Sequence, residues 1–208
     1  MIKTLKFVFE KEFRQKSYYL IVISILLFLP NDLGNLFAVL FASTLFTREM
    51  ENKSFSLIST LPISRFELYL SYYIFGASLL LFSKSLYYGI TKNSDLIGLI
   101  GILLFFAFFY SLSVLSSLKG LGGIYIPISI WLVDLFLKSN DLIRDYSLVT
   151  QKNIFINIIS LFLFFSVMFI FHFSDSSNYT KNKNKIFTVI SLIFVLIIVA
   201  WLITNSLR

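Results

Sequence analysis

Few side chains in this chain are equipped for chemistry. His172 is its single histidine and cysteine is absent, so thiolate metal sites, disulfides and thiol nucleophiles are excluded. No His-Glu-x-x-His, Gly-x-Ser-x-Gly or Gly-Lys sequence occurs. The last absence rules out a phosphate-binding loop within the chain. The ionisable residues furthest inside apolar runs are Lys84 and Asp134. Charge within a bilayer is costly and often functional. The similar depth of these two permits an ion pair; the alternative is two side chains that each reach for the interface. His172, in Phe171-His172-Phe173, reads as an interfacial ring rather than a ligand. These residues make no catalytic set, and neither an enzyme activity, a metal nor a cofactor is expected.

The elements that would hold these residues follow from composition. Of 208 residues, 57% are hydrophobic and 14% charged, against roughly 25% charged in a soluble domain. A soluble enzyme, a nucleic-acid-binding protein and a disordered tail are excluded by that shortfall. A membrane-crossing helix needs about 20 mostly apolar residues. Seven runs qualify as candidates: Tyr18–Pro30, Leu33–Thr47, Leu68–Ile90, Leu96–Leu118, Leu121–Leu137, Ile154–Phe173 and Ile186–Ile203. The first two are short. Pro30-Asn31-Asp32 between them reads as a tight turn, which makes residues 17–47 a hairpin of short helices. On the second, Gly34, Ala38 and Ala42 recur every four residues, a spacing that lets helix backbones approach closely. The expected fold is an all-α polytopic bundle of six or seven transmembrane helices forming one domain, residues 1–208.

Residues 1–16 precede the first run and carry charge throughout. Ile2, Leu5, Phe9 and Phe13 fall on one helical face, with Lys3, Lys6, Glu10, Lys11 and Arg14 mostly on the other. That pattern predicts an amphipathic helix lying in the membrane interface, and not a cleavable signal peptide. The chain is basic, at +7, and its lysines and arginines flank the apolar runs, which suits lipid headgroups better than nucleic acid. With the N-terminus in the cytoplasm, Lys3, Lys6, Lys11, Arg14, Lys16, Arg48, Lys53, Arg65, Lys119, Lys181, Lys183 and Lys185 fall inside. Lys92, Lys138, Arg144, Lys152 and Arg208 fall outside. The bias favours that orientation. Tyr18, Tyr19, Tyr69, Tyr72, Tyr73, Tyr87, Tyr88 and Trp201 sit near run ends, as aromatic belts do.

The segment 48–66 between the second and third runs is the most informative. It opens with charges, Arg48-Glu49-Met50-Glu51-Asn52-Lys53. An apolar-and-serine piece follows, with Ser54, Phe55, Leu57, Ile58 and Leu61. Pro62 breaks any helix. Ser64 and Glu67 then form a Ser-x-x-Glu capping box ahead of the long run from Leu68. This order predicts a span, a bend, a short surface helix, a turn and a capped span. A short helix parallel to the membrane is well placed for a cytoplasmic partner to push; a plain connecting loop is the other reading of the same residues.

That segment resembles the corresponding loop of ABC-2-type transporter permeases. Glu49 and Glu51 match the acidic positions that end the family's second span, and Leu57-Ile58-Ser59-Thr60-Leu61-Pro62-Ile63-Ser64-Arg65 matches the stretch before the third. Lys53-Ser54-Phe55 departs from the usual Gly-Thr-Leu. The basic amphipathic helix at residues 1–16 is also similar to the family's first segment. Beyond the first third the likeness is one of hydropathy only. A fainter likeness, from small size and Gly123-Ile124-Tyr125-Ile126-Pro127, is to haem-exporter B-type subunits. The family usually has six spans with both ends inside, whereas seven runs place Arg208 outside.

The resemblance implies a permease subunit of an ABC-2-type exporter in the plasma membrane, working with a second permease chain and a separate ATPase. Glu49, Glu51, Ser54, Phe55, Leu57, Ile58, Pro62, Ser64, Arg65 and Glu67 would then make up the ATPase-coupling segment. The competing reading is a non-transporting small membrane protein: an assembly factor, a scaffold or an immunity-type partner.

Overall fold

The computed structural model describes residues 1–29, 31–51, 63–91, 96–139, 147–148 and 154–173. Every element among the described residues is a helix: α1 (Ile2–Phe28), α2 (Asn31–Leu45), α3 (Thr47–Glu51), α4 (Arg65–Thr91), α5 (Leu96–Leu118), α6 (Tyr125–Ser139) and α7 (Ile154–Phe173). Three of them contain stretches long and apolar enough to cross a membrane, Arg65–Ile90, Gly98–Leu118 and Ile154–Phe173. At 1.5 Å per residue the 15-residue α2 and α6 reach about 22 Å, short of a ~30 Å hydrocarbon layer. The apolar run Ile186–Ile203 lies outside the described residues, as do Ser54, Phe55, Leu57, Ile58 and Pro62.

α5 and α7 coincide with the apolar runs expected there. α4 starts three residues before Leu68 because its cap lies at Ser64, whose Oγ accepts the Glu67 N–H at 3.1 Å. The N-terminal helix and the first run meet at a kink inside α1, where Lys16 has non-helical backbone (φ −132°, ψ 25°). One expectation is corrected: the fifth run does not begin its helix at Leu121. Instead Gly120, at φ 71°, ends α5. The Gly120 and Leu121 N–H groups bond back to the carbonyls of Ser117 and Ser116, both at 3.0 Å, a Schellman closure that needs the left-handed residue glycine tolerates. α6 starts at Tyr125 with Pro127 in its first turn, where a missing N–H costs no helical bond.

The core gathers where α2, α4, α5 and α7 meet. Phe41, Phe46, Phe75, Phe106, Tyr110 and Phe171 are fully buried there. A second correction concerns the tyrosines. Tyr69 and Tyr72 are fully buried, and with Tyr73 they face the protein rather than an interfacial belt. Tyr69 shares a 3.0 Å hydrogen bond with the Ser111 hydroxyl, Tyr110 donates to the Tyr69 carbonyl at 2.9 Å, and Tyr73 donates to the Leu103 carbonyl at 3.3 Å. A phenol is admitted to a core when its hydroxyl finds a partner. Tyr18, in contrast, is 87% exposed.

α1 runs parallel to α4 along most of its length: Thr4 meets Glu67, Phe13 meets Phe75 edge to face, and Phe28 meets Tyr87 in the same way. The small-residue stripe of α2 is used within the chain. Ala38 and Ala42 are buried, and a Cβ on Gly34 would collide with the Leu29 carbonyl oxygen and come within 2.7 Å of Lys84 Nζ.

Candidate functional site

The junction of α1, α3 and α4 concentrates charge. In the first half of α1, residues 4, 8 and 12 fall on one face by helical period, and Thr4, Val8 and Glu12 are the residues buried there. The expected apolar stripe is therefore divided. Phe9 and Phe13 pack edge to face on Phe75, with centroids 4.9 and 5.9 Å away, while Ile2 stays 82% exposed. Lys11, read from the sequence as lying on the polar face, and Lys16, read as a cytoplasmic-side cation, turn inward with Glu12.

α3 supplies the counterpart. The chain bends at Phe46, whose carbonyl accepts the N–H groups of Glu49 and Met50 at 3.0 and 3.2 Å. The bend carries Glu49 beneath α1. Lys11 Nζ lies 2.6 Å from Glu49 Oε2 and donates to the Tyr72 hydroxyl at 3.1 Å. Lys16 Nζ bridges Glu12 Oε2 at 2.9 Å and Glu49 Oε1 at 3.2 Å. The Glu12 and Glu49 side chains are 1% and 7% exposed, those of Lys11 and Lys16 12% and 18%. Two ammonium groups against two carboxylates leave no net charge, which is how a buried ionic set is tolerated. Burial raises the Glu12 carboxyl above the ordinary glutamate range; its hydrogen bond to Lys16, and the charges of Lys16 and Lys11, oppose that rise without cancelling it.

The other root of segment 52–62 is tied to the same helix. The Glu67 carboxylate turns toward α1. Its Oε2 accepts from the Thr4 hydroxyl at 2.8 Å, and its Oε1 lies 2.6 Å from the Met1 amine. The first half of α1 thus grips Glu49 where the polar segment leaves α3 and Glu67 where the chain enters α4. Of the coupling residues read from the sequence, Glu49 and Glu67 are both held by α1, and Ser64 caps α4. Arg65 is half-buried at the start of α4, and Glu51 ends α3. Lys11, Glu12, Lys16 and Tyr72 were missed. The one available signal was the Glu12–Lys16 spacing of four, which pairs charges on a helix but says nothing of burial.

At the opposite end Lys84 and Asp134, read from the sequence as intramembrane charges, take separate partners. Lys84, 5% exposed, donates to the Leu29 carbonyl at 3.1 Å and lies 5.9 Å from the Tyr87 ring centre. Asp134, 2% exposed, accepts from the Leu148 N–H at 2.6 Å and the Ser147 hydroxyl at 3.1 Å. Asp32 pairs with Lys138 at 2.5 Å and ties α2 to α6. His172 is exposed at the end of α7 against Phe173. Among the described residues no group of three metal-ligating side chains converges. No family model, curated protein or solved structure matches the chain.

Proposed function

We propose that this chain is the membrane-spanning subunit of an ABC-2-type exporter. It would have six or seven spans and a cytoplasmic N-terminus in the plasma membrane, and it would work with a second permease chain and a separate ATPase. One observation supports this reading above the rest. The first half of α1 holds both roots of the segment that resembles the family's coupling loop, through Lys11 and Lys16 on Glu49 and Thr4 on Glu67.

That arrangement gives a push on residues 52–62 a route into the bundle. Displacing α3 pulls Glu49 against Lys11 and Lys16. Lys16 is also the residue at which α1 departs from helical geometry. A force delivered there bends or straightens α1 at its weakest point and moves Ser17–Phe28 relative to α4. Alternating access needs a coupling of this kind between a peripheral motor and the spans.

The test is a mild-detergent pull-down of the full chain from its native membrane, with co-purifying proteins identified, alongside Leu57→Asp and Ile58→Asp. Recovery of an ATPase with the wild type and its loss from both variants is the expected result. Recovery of other partners but no ATPase, under conditions that keep known complexes intact, would overturn the reading in favour of a scaffold or assembly factor.

A further inference from the structure

The first half of α1 is polar on both sides. Thr4, Val8 and Glu12 are its buried face. Two positions further on, which is the opposite side of a helix, Lys6, Glu10 and Arg14 recur every four residues. The Lys6 and Glu10 side chains are 76% and 53% exposed and 3.8 Å apart, and Arg14 is exposed as well. This half keeps pace with α4. Thr4 meets Glu67, Lys11 meets the Tyr72 hydroxyl and Phe13 meets Phe75.

α7 packs on a neighbouring face of α4 at the same level. The Phe164 ring lies 5.3 Å from that of Tyr69 and 4.6 Å from that of Tyr73. Around it the outward residues of α7 are Phe162, Phe165 and Phe169, each more than half exposed. One depth of the bundle therefore carries exposed charge on α1 and exposed phenylalanine on α7.

The lengths of the two apolar surfaces differ in the same sense. The 20 residues of α7 reach about 30 Å, the full hydrocarbon layer. On α1 the exposed surface changes character at Tyr18. Arg14 and Gln15 precede it, and the exposed residues Ile21, Val22 and Ile25 follow. An exposed tyrosine at such a change is typical of a membrane–water boundary. From Tyr19 to Phe28 α1 covers only about 15 Å, half the layer.

No flat boundary suits both helices. A bilayer raised to Phe169 on every side would put Lys6, Glu10 and Arg14 into hydrocarbon, where charge is costly. One lowered to Tyr18 on every side would leave the α7 phenylalanines as an apolar patch in water. We propose that the bilayer boundary meets this molecule at two heights, near Phe169 on α7 and near Tyr18 on α1. The headgroup region of the bilayer, with its water, then reaches down the outer face of α1 and solvates Lys6, Glu10 and Arg14. Local thinning and tilt are the ordinary responses of a membrane to an apolar surface shorter than itself. This inference needs α7 to cross the bilayer, as its length and composition allow, and does not rest on the transporter reading.

The chain has no cysteine, so single cysteines report without background. Glu10→Cys, Arg14→Cys, Phe165→Cys and Phe169→Cys are each made in the full chain, labelled with bimane and reconstituted into phosphatidylcholine vesicles. Iodide on both faces of the vesicles should quench the dye at positions 10 and 14 and lose its effect at 165 and 169. Nitroxides on the lipid acyl chains should do the reverse. Iodide quenching at all four positions would place both helices in water, and nitroxide quenching at all four would place both in hydrocarbon. Failure of both quenchers at either pair would show that protein covers that helix. Each of these results overturns the proposal. Gln15→Cys keeps all three charges; it should behave as Arg14→Cys does, and it decides if either charge variant fails to insert.

Discussion

The two ends of the α1–α4 pair handle buried charge in opposite ways. At the Thr4 end, four charged side chains from α1 and α3 satisfy one another, with the Tyr72 hydroxyl as a further acceptor. At the Phe28 end, Lys84 leans on the carbonyl of a helix terminus; across the bundle, the described contacts of Asp134 are an N–H and a hydroxyl from residues 147 and 148. A mutual network ties together elements far apart in sequence, and its members stand or fall as a set. Lys84 also joins distant parts of the chain, α4 to the end of α1, but through one hydrogen bond to a carbonyl, so its loss is felt at that one point. The first arrangement suits transmission of a displacement and the second suits a fixed point.

The comparison is broken most severely at Glu49. Glu49→Ala leaves Lys11 and Lys16 with Glu12 as their remaining carboxylate, and stripping one partner from a buried ionic set costs about 3–5 kcal/mol. The cost should appear as release of α1: faster proteolysis within residues 1–16, with α5 and α7 still protected. A charge exchange, Lys11→Glu with Glu49→Lys, should recover part of the loss. If Glu49→Ala melts with the wild type and protects residues 1–16 equally, the network is ornamental and the difference between the two ends disappears.

Next in size is the fixed point itself. Gly34→Ala drives a methyl into the Leu29 carbonyl and crowds Lys84 Nζ. Overpacking of this kind costs roughly 1–3 kcal/mol. Gly89→Ala, on the same helix as Lys84 but with open space around its Cβ position, should be neutral or stabilising by up to about 1 kcal/mol. Thermal unfolding in detergent separates the two, and equal effects would show that Gly34 is not packed as described. Asp134→Asn belongs to the same scale. It keeps the shape and removes charge from two hydrogen bonds, for a loss of about 1.5–3 kcal/mol without release of α1.

How far these contrasts were legible in the sequence depends on the range of the interaction. α5 and α7 were readable to the residue because an apolar run of full membrane length, bounded by polar residues, has one stable form in lipid. The Ser64–Glu67 cap was readable as a local spacing, although the Glu67 carboxylate itself turned to Thr4. The start of α6 was not, because Gly120 ends α5 and the following turn is itself apolar. Tyr69, Tyr72 and Tyr73 were misassigned to a belt because an amphipathic ring near a helix end fits either a headgroup or a buried acceptor; Ser111 and the Leu103 carbonyl are on another helix. The Lys11–Glu49 pair was invisible for the same reason. Composition marked both residues as polar, and only the bend at Phe46 brings them together. The residues expected to meet a motor, Ser54 to Pro62, lie outside the described residues; Glu49 and Glu67 anchor the two ends of that segment.

The smallest expected effect concerns pH. The groups facing Glu12 are Lys11 and Lys16 on its own helix and Glu49 from α3, with Tyr72 of α4 behind Lys11. Burial raises the folded carboxyl above its unfolded value, so between those two values the folded state holds more proton than the unfolded one. Stability assigned to Glu12 is then complete below the unfolded value and falls as pH rises through the folded one. Glu12→Gln cannot titrate and loses that slope. Melting temperatures of the two proteins, measured in steps from pH 4 to pH 8, should diverge steadily in this sense: the wild type gives up stability relative to Glu12→Gln as the pH increases. Parallel curves, or a wild type that gains on the variant with rising pH, would mean that Lys11 and Lys16 outweigh burial. The network would then hold Glu12 as a fixed anion, and the two ends of the molecule would differ in number of partners but not in electrostatic character.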